Sequence, residues 1–155
     1  MRQIAIIISL AISLLSFSVM ARTFTLKSES LTGEATNETF FNNFGCSGDN
    51  KSPEPLFSSA PDGTKSFAVI IYDADAPTSS GFRHLVVFDI PAQSKSIAVN
   101  PISTKSQPNG SIESNTDFVV PSYVGPCPPE GDKPYMFMVT VYDMETEKLG
   151  LDAKC

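Results

Sequence analysis

Ser66-Phe67-Ala68-Val69-Ile70-Ile71-Tyr72 and Arg83-His84-Leu85-Val86-Val87-Phe88-Asp89-Ile90 decide the fold, and the link between them carries most of the candidate chemistry. Residues 67–71 and 85–88 are apolar at every position, the pattern of strands covered on both faces. Joined through the turn-rich Ala76-Pro77-Thr78-Ser79-Ser80-Gly81, the two runs read as antiparallel neighbours at the centre of a sheet. Outward from them, 23–27 and 135–142 read as further strands, and Pro, Gly, Asn and Ser clusters punctuate the apolar runs at short intervals. The expectation is an all-β antiparallel sandwich with little helix, residues 145–151 being the only candidate for a helical turn. Residues 91–115 are poor in large apolar side chains and read as a long surface excursion, not a second domain.

The N-terminus has the order of a secretory leader: basic Arg2, an apolar and small stretch over 4–19, then Val19-Met20-Ala21. The expected division is a signal peptide over 1–21 and one domain over 22–155, exported to the periplasm or secreted. The full chain carries a net charge of −6. Loss of the leader removes Arg2 and no acid, leaving about −7. A negative chain without basic runs argues against nucleic acid and against docking on anionic membranes, and no stable membrane insertion is expected of the processed chain. Three cysteines, Cys46, Cys127 and Cys155, in an oxidising compartment imply one disulfide and one leftover thiol. With no CxxC pair and a single histidine, His84, neither a metal nor another cofactor is expected.

Asp73 and Asp75 close one central strand and His84 opens the next, so antiparallel pairing gathers both carboxylates and the imidazole at one rim of the sheet. Gly125-Pro126-Cys127-Pro128-Pro129-Glu130-Gly131-Asp132-Lys133-Pro134 is a stiff loop able to stand over that rim as a wall. A plainer reading stays open for each piece: Asp-Ala-Asp-Ala-Pro makes a good turn, and a lone histidine beside an apolar strand is more often packed than functional. A hydrolase would need an activated nucleophile, yet Ser79 and Ser80 sit in a turn and no Gly-x-Ser-x-Gly elbow exists. No catalytic residue is assigned.

Taken together, Cys46-Ser47-Gly48-Asp49-Asn50-Lys51-Ser52-Pro53, Ala60-Pro61-Asp62-Gly63-Thr64-Lys65-Ser66-Phe67-Ala68, Asp73-Ala74-Asp75-Ala76-Pro77 with His84, and the 125–134 loop resemble the phosphatidylethanolamine-binding protein family, in its bacterial Raf-kinase-inhibitor-like branch. The resemblance runs over about 24–151 with the blocks in family order. It implies a Greek-key β-sandwich with a small anion pocket at one end, lined here by Asp73, Asp75, Pro77, His84, Gly125 and Pro126. The sequence departs from the family at Ala74, where a proline is usual between the two aspartates. It departs again at Tyr135-Met136-Phe137, where Tyr135 and Met136 stand in place of a second pocket histidine and its arginine. Family members also continue for a few dozen residues past the point matched by Cys155, so the C-terminus reads as shortened. Cys46 and Cys127 each lie beside a family-like pocket block, which makes them the expected disulfide and leaves Cys155 free.

The leader and the resemblance together lead to the expectation of an exported module that binds a small anion or phospholipid headgroup and modulates a protein partner; because a carboxylate facing a phosphate would repel it, His84 is expected to meet the anion while Asp73 and Asp75 orient the imidazole. The rival is a surface-interaction or inhibitor protein with a vestigial pocket.

Overall fold

The structure is a computed structural model that describes residues 23–30, 33–97 and 108–154. The expected leader, much of the expected surface excursion and Cys155 lie outside the described residues. Six strands are present: β1 (Thr25–Ser28), β2 (Pro55–Ser58), β3 (Ser66–Asp73), β4 (Phe82–Pro91), β5 (Ile112–Glu113) and β6 (Phe137–Met144). The larger sheet has the order β5-β4-β3-β6, every neighbouring pair antiparallel, and β1 pairs antiparallel with β2. The all-β expectation holds, and β3 and β4 are the central strands.

The core forms where period-two alternation puts one face of this sheet inward. Phe67, Val69 and Ile71 on β3 and Leu85, Val87 and Ile90 on β4 are at most 1% exposed, and Phe137, Val139 and Val141 of β6 pack beside them. The second layer presses Phe57 of β2 onto this face, its ring 4.7 Å from that of Phe67, with Phe24 stacked at 6.0 Å. The opposite face is less enclosed than the unbroken apolar runs imply. Ala68, Ile70, Tyr72 and Val86 are only half-buried, as on a sheet covered on one side more than the other.

Two irregularities in β4 place the side chains that matter. Between Phe67↔Ile90 and Val69↔Val87 the partner strand advances by three residues for two, and Asp89 takes a left-handed backbone with φ 55°. Between Ile71↔Leu85 and Tyr72↔Arg83 it advances by two for one, so His84 is the extra residue. A bulge re-aims side chains that strict alternation would send to opposite faces. Here it lets His84 and Leu85 both turn inward and both be buried.

Residues 145–151 form no helix. Leu149 donates its amide to Asp89 Oδ1 at 2.8 Å, and Thr146 donates its hydroxyl to the Lys148 carbonyl at 2.9 Å, so side chains take groups that a helix would need for its ladder. The final strand begins two residues later than its apolar run, because the Met136 amide is held by Asp75 Oδ2 at 2.9 Å. Cys46 and Cys127 are joined in a disulfide as expected.

Candidate functional site: a cavity at the His84 end of the sheet

The wall opposite His84 is laced in place by backbone groups. The Phe41 amide donates to the Pro126 carbonyl at 2.9 Å, and the Gly125 amide donates to Asn50 Oδ1 at 2.7 Å. Asn50 itself adopts φ 53°, a conformation that asparagine tolerates better than most residues. Gly125 is required: a Cβ there would collide with the Thr39 carbonyl and the Phe41 amide. The Cys46–Cys127 disulfide ties the same two segments together. The Cys46-to-Pro53 and Gly125-to-Pro134 blocks therefore act as one wall.

Behind that wall lies a cavity of about 370 Å³, within the range of small-molecule sites. Asp73, Pro77, His84, Gly125, Pro126 and Tyr135, six of the residues expected at the pocket, line it. Asp75 does not. Its carboxylate is taken by Lys133 Nζ at 2.7 Å and the Met136 amide, bonds that hold it below the usual carboxylate range and pin the start of β6. A larger groove of about 560 Å³ opens between β1 and the start of β6, but its lysine and carboxylate, Lys27 and Glu34, are exposed.

His84 is 5% exposed, its ring packed between Phe82 at 5.0 Å and Phe137 at 4.9 Å. Nδ1 lies 2.5 Å from the Val124 carbonyl. A carbonyl only accepts, so Nδ1 carries the proton and Nε2 presents its lone pair in the neutral ring. Nε2 has no hydrogen-bond partner; Asp73 Oδ2 stands 4.0 Å away. The expectation that the aspartates orient the imidazole is thus corrected. The Val124 carbonyl does so, while Asp73 Oδ1 closes its own turn by accepting the Asp75 amide at 2.8 Å. Burial pushes the imidazole below its ordinary pKa, outweighing the Val124 hydrogen bond and the Asp73 and Asp117 charges that pull it up. The ring is neutral near pH 7.

Tyr135 donates its hydroxyl to Asp132 at 2.5 Å, which pushes its pKa up to about 12, and Met136 is 67% exposed. Neither supplies the cation that the resemblance would place there. Sequence reading passed over Val124, which fixes the imidazole, and Phe44, Phe82 and Phe118, which also line the cavity. Phe82, two residues before His84 and therefore on the same face of the strand, was the one signal available. Among the described residues, no three His, Cys, Asp or Glu side chains gather as a metal-binding group.

Residues 31–155 match the family model described as phosphatidylethanolamine-binding protein. The chain is 40% identical to the UPF0098 protein YbcL of Escherichia coli strain K12, over 96% of this chain and 83% of that one. It is 38% identical to YbhB of the same strain over 72% of this chain and 71% of the relative. The crystal structure of Escherichia coli YbcL, described as a new member of the mammalian PEBP family, superposes with a TM-score of 0.81 at 38% identity, covering 85% of this chain and 83% of that one. A homologue from Chlamydia trachomatis shares the fold, with a TM-score of 0.64 at 20% identity over 79% of this chain and 76% of that one.

Proposed function

Since this chain belongs to the phosphatidylethanolamine-binding protein family, we propose that it is an exported binding module whose cavity takes a phosphate headgroup or another small anion, with no catalytic step. One observation carries the reading: a buried imidazole nitrogen without a partner, beside a cavity of about 370 Å³. A buried acceptor left unsatisfied costs roughly 1–3 kcal/mol, and a ligand able to donate to it recovers that cost.

The neutral ring sets the form of ligand. A fully ionised phosphate offers no proton to Nε2 and meets the Asp73 carboxylate close by. A phosphate monoester near neutrality retains a proton on part of its population, its second pKa being about 6. Its P–OH donates to Nε2, or passes the proton to the ring, which then donates back through a charge-assisted hydrogen bond. Asp73 steadies the resulting imidazolium. The leader-like residues 1–21 and the Cys46–Cys127 disulfide support an oxidising compartment outside the cytoplasm. The same module would act by modulating a protein partner.

The surface-interaction reading draws on Tyr135, whose hydroxyl is taken by Asp132, and on a cavity lining that holds no Lys or Arg. Calorimetry with phosphoethanolamine, phosphate and acetate separates the two. The pocket reading requires saturable binding that weakens in His84→Ala and strengthens in Tyr135→His, which places an imidazole in the cavity lining. Equal titrations of wild type and His84→Ala would give the surface reading its place.

A further inference from the structure

Charge in the cavity at the His84 end is unbalanced. Among the described residues its lining holds one carboxylate, Asp73, one imidazole that is neutral near pH 7, and no Lys or Arg. Asp73 is 2% exposed, and the charges of Asp117, Asp75 and Asp132 also reach the His84 ring or the Tyr135 hydroxyl. Two cations stand near, and each is engaged elsewhere: Lys133 Nζ with Asp75 at 2.7 Å, and the Arg83 guanidinium with Asp117 at 2.8 Å. While the imidazole is neutral, Asp73 has no cation at ion-pair distance among the described residues. A carboxylate buried without a counter-charge is unfavourable, and a cationic ligand supplies one.

Two acceptors converge at this point. His84 Nε2 has no hydrogen-bond partner, and Asp73 Oδ2 stands 4.0 Å from it, the other carboxylate oxygen being committed to the Asp75 amide. A nitrogen set about 2.9 Å from each sees them about 90° apart, close to the tetrahedral spread of the N–H bonds on an ammonium. One –NH₃⁺ group thus donates to both acceptors at once and sets its charge against Asp73. A phosphate monoester near neutrality has at most one P–OH to offer and brings negative charge of its own. The surrounding walls are aromatic. Phe44, Phe82, Phe118 and Tyr135 line the same cavity, with Phe82 packed 5.0 Å from the imidazole and Phe118 edge-on to Phe82 at 5.0 Å. Ring faces attract a cation and bury the hydrocarbon that carries it.

We propose that the cavity is also a site for a small organic cation: a primary ammonium, carrying no phosphate, whose N–H groups bridge His84 Nε2 and Asp73 Oδ2 and whose hydrocarbon part lies among the phenylalanines. The inference goes beyond the headgroup reading, since it uses the same acceptor for a ligand of the opposite charge.

Calorimetry at pH 7.5 with benzylammonium, benzyl alcohol and benzyltrimethylammonium tests it. The alcohol keeps the ring and removes the charge, and the trimethyl compound keeps the charge and removes the N–H donors. Benzylammonium should bind at least about tenfold more tightly than either, the worth of one charge-assisted hydrogen bond. Asp73→Asn, checked for a retained fold by thermal unfolding, should lose that preference. Independently of the variant, saturating benzylammonium should shift the nitrogen-15 resonance of His84 Nε2 toward that of a hydrogen-bonded nitrogen. No binding of benzylammonium, binding equal to either control, a preference that survives in folded Asp73→Asn, or an Nε2 resonance that does not move each overturns the cation site. Inorganic phosphate titrated alongside keeps the two readings apart: phosphate binding without benzylammonium binding sinks this proposal and leaves the headgroup reading standing, and the reverse result does the opposite.

Discussion

Replacing Glu113 by glutamine should stabilise the protein at alkaline pH and leave it nearly unchanged in acid. Glu113 lies on the two-residue strand β5 opposite Val87, is 6% exposed, and has no hydrogen-bond partner on either carboxylate oxygen. Burial alone pushes its pKa up from 4.5 to about 7. At about 1.4 kcal/mol for each pH unit between those values, the ionised carboxylate costs the fold roughly 3 kcal/mol. The folded state holds this proton more tightly than the unfolded chain does, so it binds more protons between pH 4.5 and 7 and stability falls as pH rises through that window. Glutamine keeps the shape and a neutral polar end. Urea unfolding of wild type and Glu113→Gln at pH 4.5 and pH 8 measures the difference. The variant should gain up to roughly 3 kcal/mol at pH 8 and almost nothing at pH 4.5. Two curves that run parallel across this range would refute the assignment of the penalty to Glu113.

Gly125→Ala should cost roughly 1–3 kcal/mol, because a methyl group there strikes backbone and not a flexible side chain; a melting temperature equal to wild type would contradict the close wall. Opening the Cys46–Cys127 bridge, whose cysteines are 81 residues apart, should cost roughly 4 kcal/mol in the chain-entropy account, checked by denaturant unfolding of the double serine variant. Sulfate, which does not titrate in this range, should bind more tightly as pH falls through the depressed pKa of His84, since the added proton turns Nε2 into a charge-assisted donor. Calorimetry at pH 5 and 7.5 would expose an affinity indifferent to pH.

The central strands were legible because residues 67–71 and 85–88 combine unbroken apolar character with β-branched side chains, and few other structures suit such runs. β2 and β5 were not. Pro55-Leu56-Phe57-Ser58 is short and opens on proline, and β5 has only two residues, so neither shows periodicity. The late start of β6 was hidden for a different reason: the Asp75–Met136 bond spans 61 residues and has no local signal. At the site, strand pairing correctly brought Asp73 and His84 to one rim. The partner of the imidazole was misassigned because a carboxylate is the obvious candidate in a sequence, whereas a backbone carbonyl such as that of Val124 is invisible there. The bulge that turns His84 inward is likewise a matter of register, fixed by the pairing of β3 with β4 and not by the residues of β4 alone.

In the proposed function His84 Nε2 is the acceptor that a ligand satisfies, and nitrogen-15 NMR of the imidazole under titration with phosphoethanolamine tests that directly. In the free protein at pH 7, Nδ1 should show the shift of a protonated nitrogen and Nε2 that of a bare, unbonded one. Saturating ligand should move Nε2 strongly, toward a hydrogen-bonded or protonated nitrogen, while Nδ1 stays protonated against the Val124 carbonyl. An Nε2 resonance that does not move at saturating phosphoethanolamine, or a free protein already protonated at Nε2, would contradict the account.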